Sequence, residues 1–243
     1  ELSFAQVRGF TADVSHQLRT PLTAIRSVGE VGLRGPRDAS AYRTVIESML
    51  EEVDRLSTLV GRLLALSRAE TGQSRLLVES VDLVQLCHGV ANDLGVLAEE
   101  LSQRILVESE GNVRANADRA ILRQALVNLV DNAIRYSGPG ATIRIRVAAT
   151  GGVPTIDVID SGPGITPELR ERIFDRFVRL DRSDTPAHAG TGLGLAIARS
   201  AVQVQGGRLT LEPTTALGCT FRISLQGAAA PLDAMLPVHA AVD

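Results

Sequence analysis

Four groups of residues have types and spacings suited to chemistry. His16 lies five residues before Pro21 in "DVSHQLRTPLTAI". A neutral imidazole, with an ordinary pKa of about 6.5, is a competent nucleophile near neutral pH. Asn128, Asn132 and Arg135 recur at i, i+4 and i+7 in "ADRAILRQALVNLVDNAIRY" and share one helical face. Amide oxygens are hard ligands suited to Mg2+, and an arginine one turn away can hold phosphate oxygens as a fork. The solvated side of any amphipathic helix shows the same kind of stripe. Asp160 ends the alternating text "TIDVID" and is followed by Gly162 and Gly164. A carboxylate only accepts, so at a buried strand end it suits a donor such as the exocyclic amine of adenine, and the glycines permit close backbone approach to a ligand. An ordinary Asp-Gly turn reads the same way. In "GTGLGLAIA", Gly190, Thr191, Gly192, Leu193 and Gly194 run into a helical pattern. Free N–H groups at such a helix start favour an anion.

Composition narrows the chemistry. All 25 basic residues are arginine, so a Walker A loop, a serine/threonine-type kinase strand lysine and a Schiff-base lysine are all excluded. The net charge is −3 with no dense basic patch interleaved with aromatics, and no nucleic-acid partner is expected. No apolar run approaches the roughly 20 residues of a membrane helix, nor does the beginning of the sequence read as a signal peptide. Cys87 and Cys219 lack metal spacing and read as reduced, buried thiols.

The elements that must position these groups divide in two. Residues 1–70 read as two long helices joined at "RGPRD", with Phe10, Val14, Pro21, Ile25 and Val28 on the first seam and Met49, Val53, Leu56, Val60 and Leu63 as a heptad seam on the second. Two stripes leave apolar flanks in water, so a homodimer completing a four-helix bundle is expected. Residues 71–75 read as a linker. Residues 76–226 alternate short strands ("RLLVES", "RILVES", "TIRIRVAAT", "TIDVID", "RLTLEP", "CTFRISL") with helical stretches near 82–99, 117–135 and 191–205. That is an α+β domain, one sheet covered on one face by helices. "IFDRFVRLDRSDTPAH" reads either as a lid hinged on Phe174 and Phe177 or as a surface helix and loop. Residues 227–243 read as a flexible tail.

Together these stretches resemble the sensor histidine kinases of bacterial two-component signalling. "SHQLRTPL" is similar to the phosphoacceptor box of that family, "NLVDNAIRYS" to its asparagine box, "DSGPG" and "GTGLGL" to its glycine boxes, "IFDRF" to its phenylalanine box, and "GCTFRI" to its weaker last box. The resemblance implies a dimeric hairpin followed by a two-layer α/β sandwich ATPase domain of the gyrase, heat-shock 90 and histidine kinase type. It implies ATP and Mg2+ as cofactors, with Asn132 the principal Mg2+ ligand and Asn128 beside it. Arg135 would touch phosphate, Tyr136 stack on adenine, and Asp160 accept from its amine. Gly162 and Gly164 would shape the base pocket, Gly190, Gly192 and Gly194 close over the phosphates, and Thr220 support the base. It further implies phosphotransfer from His16 to an aspartate of a response regulator receiver domain. The expected location is the cytoplasmic portion of an inner-membrane-anchored sensor, membrane contact being made only through a sensor portion absent from this chain.

One position departs from the pattern. The family usually has an acidic residue after the histidine, and here it is Gln17. An amide can hydrogen-bond the ring but cannot act as a general base at neutral pH. Asp13, three residues before His16, is the nearest substitute. Thr20 lies at i+4 from His16 on the same face, and the resemblance implies that it orients the water that dephosphorylates the regulator. The alternative is a kinase-impaired nucleotide-binding scaffold.

Overall fold

Helix α1, Leu2–Leu33, continues through Pro21, and α2, Ala39–Thr71, starts at Asp38, whose carboxylate accepts from the Ala41 amide at 2.8 Å. This computed structural model describes the backbone of residues 2–34, 38–71, 76–178, 191–213 and 218–227, and their side chains except at 2–13, 16, 62 and 64–71. The expected Gly-Pro connection, most of the expected linker and the expected tail after Gly227 lie outside the described residues.

By its contacts the chain forms two compact units, Glu1–Arg75 with Ile165–Val204, and Leu76–Gly164 with Gln205–Asp243. In the first, half-buried Val14, Leu18, Pro21, Ile25 and Val28 and buried Gly32 follow a 4-3-4-3-4 rhythm along α1. A Cβ on Gly32 would stand 2.8 Å from Val45 Cγ1, so the helices approach closely there. The seam of α2 is offset from the one read in the sequence. Val45, Met49, Leu56, Leu59 and Leu63 turn inward, whereas Val53 and Val60 are exposed alongside Tyr42, Ile46 and Leu50. The apolar arc of α2 is about 180° wide at 3.6 residues per turn, and α1 covers only half of it. Two short 3-10 turns, Pro167–Leu169 and Arg172–Phe174, and α5, Gly194–Gln203, complete the unit. Leu59, Leu193 and Ile197 form a buried cluster against which Leu18, Leu63 and Phe177 pack.

The second unit is the α+β part. Its elements are β1 (Val78–Asp82), α3 (Leu83–Glu100), β2 (Arg104–Ser109), β3 (Arg114–Asp118), α4 (Arg119–Tyr136), β4 (Thr142–Thr150), β5 (Val153–Ile159), β6 (Arg208–Leu211) and β7 (Thr220–Ser224). The main sheet has the order β2-β4-β5-β7-β6, with β2 parallel to β4 and the other neighbours antiparallel. Ile143, Ile145 and Val147 of β4 alternate with exposed Arg144 and Arg146, so one face is apolar and the other wet. Leu83, Leu86, Cys87 and Val90 of α3 and Leu122, Leu126 and Leu129 of α4 are buried. On the wet face a row of alternating charge crosses the strands, in which Arg222 holds Asp157 through two 2.7 Å bonds and reaches Glu212 at 3.5 Å.

A second, two-stranded sheet, β1 with β3, was not expected. Residues 114–118 read "RANAD", without the β-branched or aromatic residues that mark strands, and the helical stretch expected from 117 overlaps their end. The strand exists because Ala115 and Ala117 are completely buried, and because Asp118 is a buried hub. Its Oδ1 caps α4 through the Ala120 and Ile121 amides, its Oδ2 accepts from the Leu77 amide, and its own N–H donates to Gln205.

Candidate nucleotide and phosphoacceptor sites

His16 and Asp13 lie in α1, but their side chains are outside the described set. Gln17 is half-buried on the flank of the α1 seam, and Thr20, one turn after His16, is exposed.

In the second unit, α4 and the end of β5 carry the expected base and metal residues. Asn128 is not on a solvated face: it is 4% exposed, and its Nδ2 donates to the Gln124 carbonyl at 3.0 Å. That bond fixes which end of the amide is nitrogen and makes Oδ1 the atom able to serve as a ligand. Asn132, one turn on, is half-buried. Arg135 pairs through Nε with both oxygens of Asp131, at 3.1 and 3.0 Å, which leaves its terminal nitrogens to meet another anion. Among the described residues no cluster of three His, Cys, Asp or Glu could hold a metal. Amide oxygens alone suit an ion that brings most of its ligands with it, as Mg2+ on nucleotide phosphates does.

Asp160 is the most fixed of these groups. Its Oδ1 accepts from the Gly162 amide at 2.9 Å and the Cys219 amide at 3.1 Å, and its backbone N–H donates to the Cys219 carbonyl at 3.0 Å. Oδ2 takes no partner among the described residues. Burial pushes this carboxyl above the ordinary range, and the two amides pull it part of the way back. The glycines around it are sterically required. A Cβ on Gly162 would meet the Tyr136 carbonyl at 2.8 Å, and one on Gly218, where φ is +104°, would stand 2.0 Å from the Asp160 carbonyl oxygen. Gly218 opens the "GCTFRI" box, which by itself gives that glycine no role. Gly164 has φ +78°, and half-buried Thr220 opens β7 opposite Ile159.

In the first unit, the glycine turn leads into α5. α2, α3 and α4 each begin under an aspartate side chain, whereas the residue before α5, Leu193, is buried and makes no side-chain cap. The first amides of α5 therefore suit an anionic ligand. Thr191 and Gly194 are half-buried there, and Gly190 lies outside the described residues. At Gly192, φ is +68° and a Cβ would collide with the Phe177 backbone at 2.7 Å, while the Phe177 amide donates to the Gly192 carbonyl at 2.9 Å. Phe177 itself has φ +61°, a strained conformation for a bulky residue. The Arg199 guanidinium sits 4.9 Å over the Phe174 ring. The expected lid beyond Val178 lies outside the described residues.

Comparison with known proteins matches two stretches of the chain to family models. Residues 6–72 match the His Kinase A (phospho-acceptor) domain, and residues 117–229 match the histidine kinase-, DNA gyrase B-, and HSP90-like ATPase family. The sensor protein IrlS of Burkholderia pseudomallei is 37% identical over 228 residues, 94% of this chain and 49% of that protein. The sensor-like histidine kinase SenX3 of Mycolicibacterium smegmatis is 34% identical over 218 residues, 90% of this chain and 57% of that protein. Among solved structures, histidine kinase ThkA in complex with response regulator protein TrrA superposes with a TM-score of 0.75 at 26% identity, covering 93% of this chain and 63% of that one. The histidine kinase AdeS of Acinetobacter baumannii gives 0.70 at 25% identity, covering 88% and 98%. The chain belongs to the sensor histidine kinases of bacterial two-component systems. It spans about half the length of IrlS and SenX3.

Proposed function

We propose that this chain is an ATP-dependent protein-histidine kinase acting on itself at His16 and passing the phosphoryl group to an aspartate of a response regulator. A ring nitrogen of His16 attacks the γ-phosphorus, the bond to the β,γ-bridging oxygen breaks, ADP leaves, and the ring proton passes to Asp13 or to water. An aspartate oxygen of the regulator then attacks the phosphohistidine, freeing the imidazole. Thr20, one turn from His16, orients the water that later hydrolyses the regulator phosphate. The observation that carries the nucleotide assignment is Asp160, a buried carboxylate with one oxygen held by two amides and the other available to an amine.

Asn132 and Asn128 would hold Mg2+, which when bound would supply charge neutralisation on the triphosphate. Arg135 holds phosphate oxygens, Tyr136 stacks on the base, and Gly162, Gly164 and Thr220 shape its pocket. The amides of Gly190, Thr191, Gly192, Leu193 and Gly194 hold phosphates. Residues 1–70 act as the phosphoacceptor and dimerisation domain and residues 76–226 as the ATP-binding domain. The uncovered half of the α2 arc supports a homodimer closing a four-helix bundle. Among the described residues no helix is long and apolar enough to cross a membrane, which fits the cytoplasmic portion of a membrane-anchored sensor.

Incubation with labelled ATP and Mg2+ tests the reading. An acid-labile phosphate is expected on the wild type and none on His16→Ala. No label on a wild type that still binds ATP leaves the scaffold alternative, with Gln17 as its cause.

A further inference from the structure

We infer that Gln103 is a positioning residue for the nucleotide base, acting through the C-terminal end of α4. The inference rests on the assignment of Tyr136 and Asp160 to the base.

Helix α3 ends in a paired turn. The Ser102 amide donates to Glu99 and the Gln103 amide to Ala98, both at 2.8 Å, with Ser102 at φ +56°. Glycine normally fills that left-handed position. The turn sends Gln103 inward, where it is 2% exposed and its Nε2 lies 3.0 Å from the Ile134 carbonyl, 2.8 Å from that of Ser137 and 3.3 Å from that of Gly138. The last carbonyls of a helix have no partner within it. One side-chain amide therefore caps α4 from 31 to 35 residues away in sequence. Three acceptors around one atom leave no doubt that it is the nitrogen. The adjoining loop is tied to the same corner, Gly140 donating to Ser102 at 2.9 Å and Arg104 to Ala141 at 3.0 Å.

The clamped turn contains Arg135 and Tyr136. The carbonyl of Tyr136 abuts Gly162, 2.8 Å from where a Cβ would stand, and the Gly162 amide is in turn bound to Asp160 Oδ1. Gln103 thus reaches the base residues through one short series of contacts. Its geometry is not the one that packing alone would select. Gln103 Oε1 and Ser137 Oγ are both buried without a partner, and uncompensated polar atoms lower stability. Local rules broken beside a site are typically broken for its sake.

The test uses the full chain. Gln103→Met removes both donors at nearly constant length. The ATP concentration for half-maximal labelling of His16 is expected to rise about tenfold, the ADP dissociation constant to rise equally, and the maximal rate to stay within about twofold. Leu209→Ala, a cavity in β6 away from α4, is the stability control. If it weakens ADP binding as much as Gln103→Met at a matched loss in Tm, the role is structural only and the inference fails. Asp160→Asn separates the layers: ADP binding lost there but kept in Gln103→Met overturns the inference about Gln103 alone, whereas binding kept in both overturns the base assignment beneath it. Should Gln103→Met not fold, wild type supplies the readout. The Gln103 side-chain amide signal is expected to shift and its exchange to slow when ADP binds, and an unchanged signal overturns the proposal.

Discussion

Asp160→Asn separates the proposed recognition role of this carboxylate from its structural one. An asparagine oxygen can still accept from the Gly162 and Cys219 amides at 2.9 and 3.1 Å, so the turn after β5 keeps its form. The second oxygen becomes an NH2 group, and the free acceptor becomes a donor facing a donor. A hydrogen bond to a charged group is worth about 1.5–3 kcal/mol, so ATP affinity should fall about 10- to 100-fold. The fold should respond in the opposite sense. Burial raises the Asp160 pKa above its ordinary 3.8, so its stability contribution is fully present below that value and is lost as pH rises through the folded pKa. The amide never ionises, so the variant should gain Tm over wild type with rising pH and hold that gain above the folded pKa. Fluorescent-nucleotide titration beside thermal melts from pH 3.5 to 8 would measure both. ATP affinity within twofold of wild type would refute the base-acceptor argument, and a lower Tm at pH 8 would refute the electrostatic one.

Ser102→Gly should raise the Tm by a few degrees, because it relieves a left-handed serine at φ +56° worth about 1 kcal/mol; an unchanged melt counts against strain there. Ile46→Glu with Leu50→Glu, both on the uncovered arc of α2, should weaken self-association at least a hundredfold by light scattering, since buried charges lack partners in an apolar seam; an unaltered dimer would place the interface elsewhere. Burial first, and Asp82 second, push the Cys87 thiol up to about 12, so native protein at pH 8 should be alkylated there no faster than it unfolds. The same shift means that stability tied to the neutral thiol holds below its ordinary 9.0 and is lost between that value and about 12.

What the sequence revealed of the fold was whatever is written locally. "RILVES" and "TIRIRVAAT" coincide with β2 and β4 to the residue, since β-branched residues alternate there and turn residues bound them. "RANAD" did not announce β3, because its alternation is carried by alanine, whose burial depends on what packs over it. The α2 seam has the period read from the sequence, and its Met49, Leu56 and Leu63 turn inward, whereas Val53 and Val60 lie on the uncovered half. With an arc about 180° wide, periodicity cannot say which half meets α1 and which remains uncovered.

The site divides along the same line. Asp160, Gly162 and Gly192 stand in short motifs, and the structure gives each a steric or hydrogen-bonding reason. Asn128 was placed on a polar stripe that looked solvated, yet it is 4% exposed; a stripe gives the angle around a helix but not what covers it. Gln103 and the Asp157 to Arg222 pair share a different property. Their partners lie 31 to 65 residues away, and each depends on a pairing that no local pattern encodes. Gln103 shows the consequence for mechanism. On the proposed assignment the motif on α4 specifies which side chains would face a ligand, while the end of that helix is capped by Gln103 from the turn between α3 and β2. The chemistry is therefore legible in the motif, while its positioning belongs to long-range contacts, and substitutions there should alter affinity without altering the reaction.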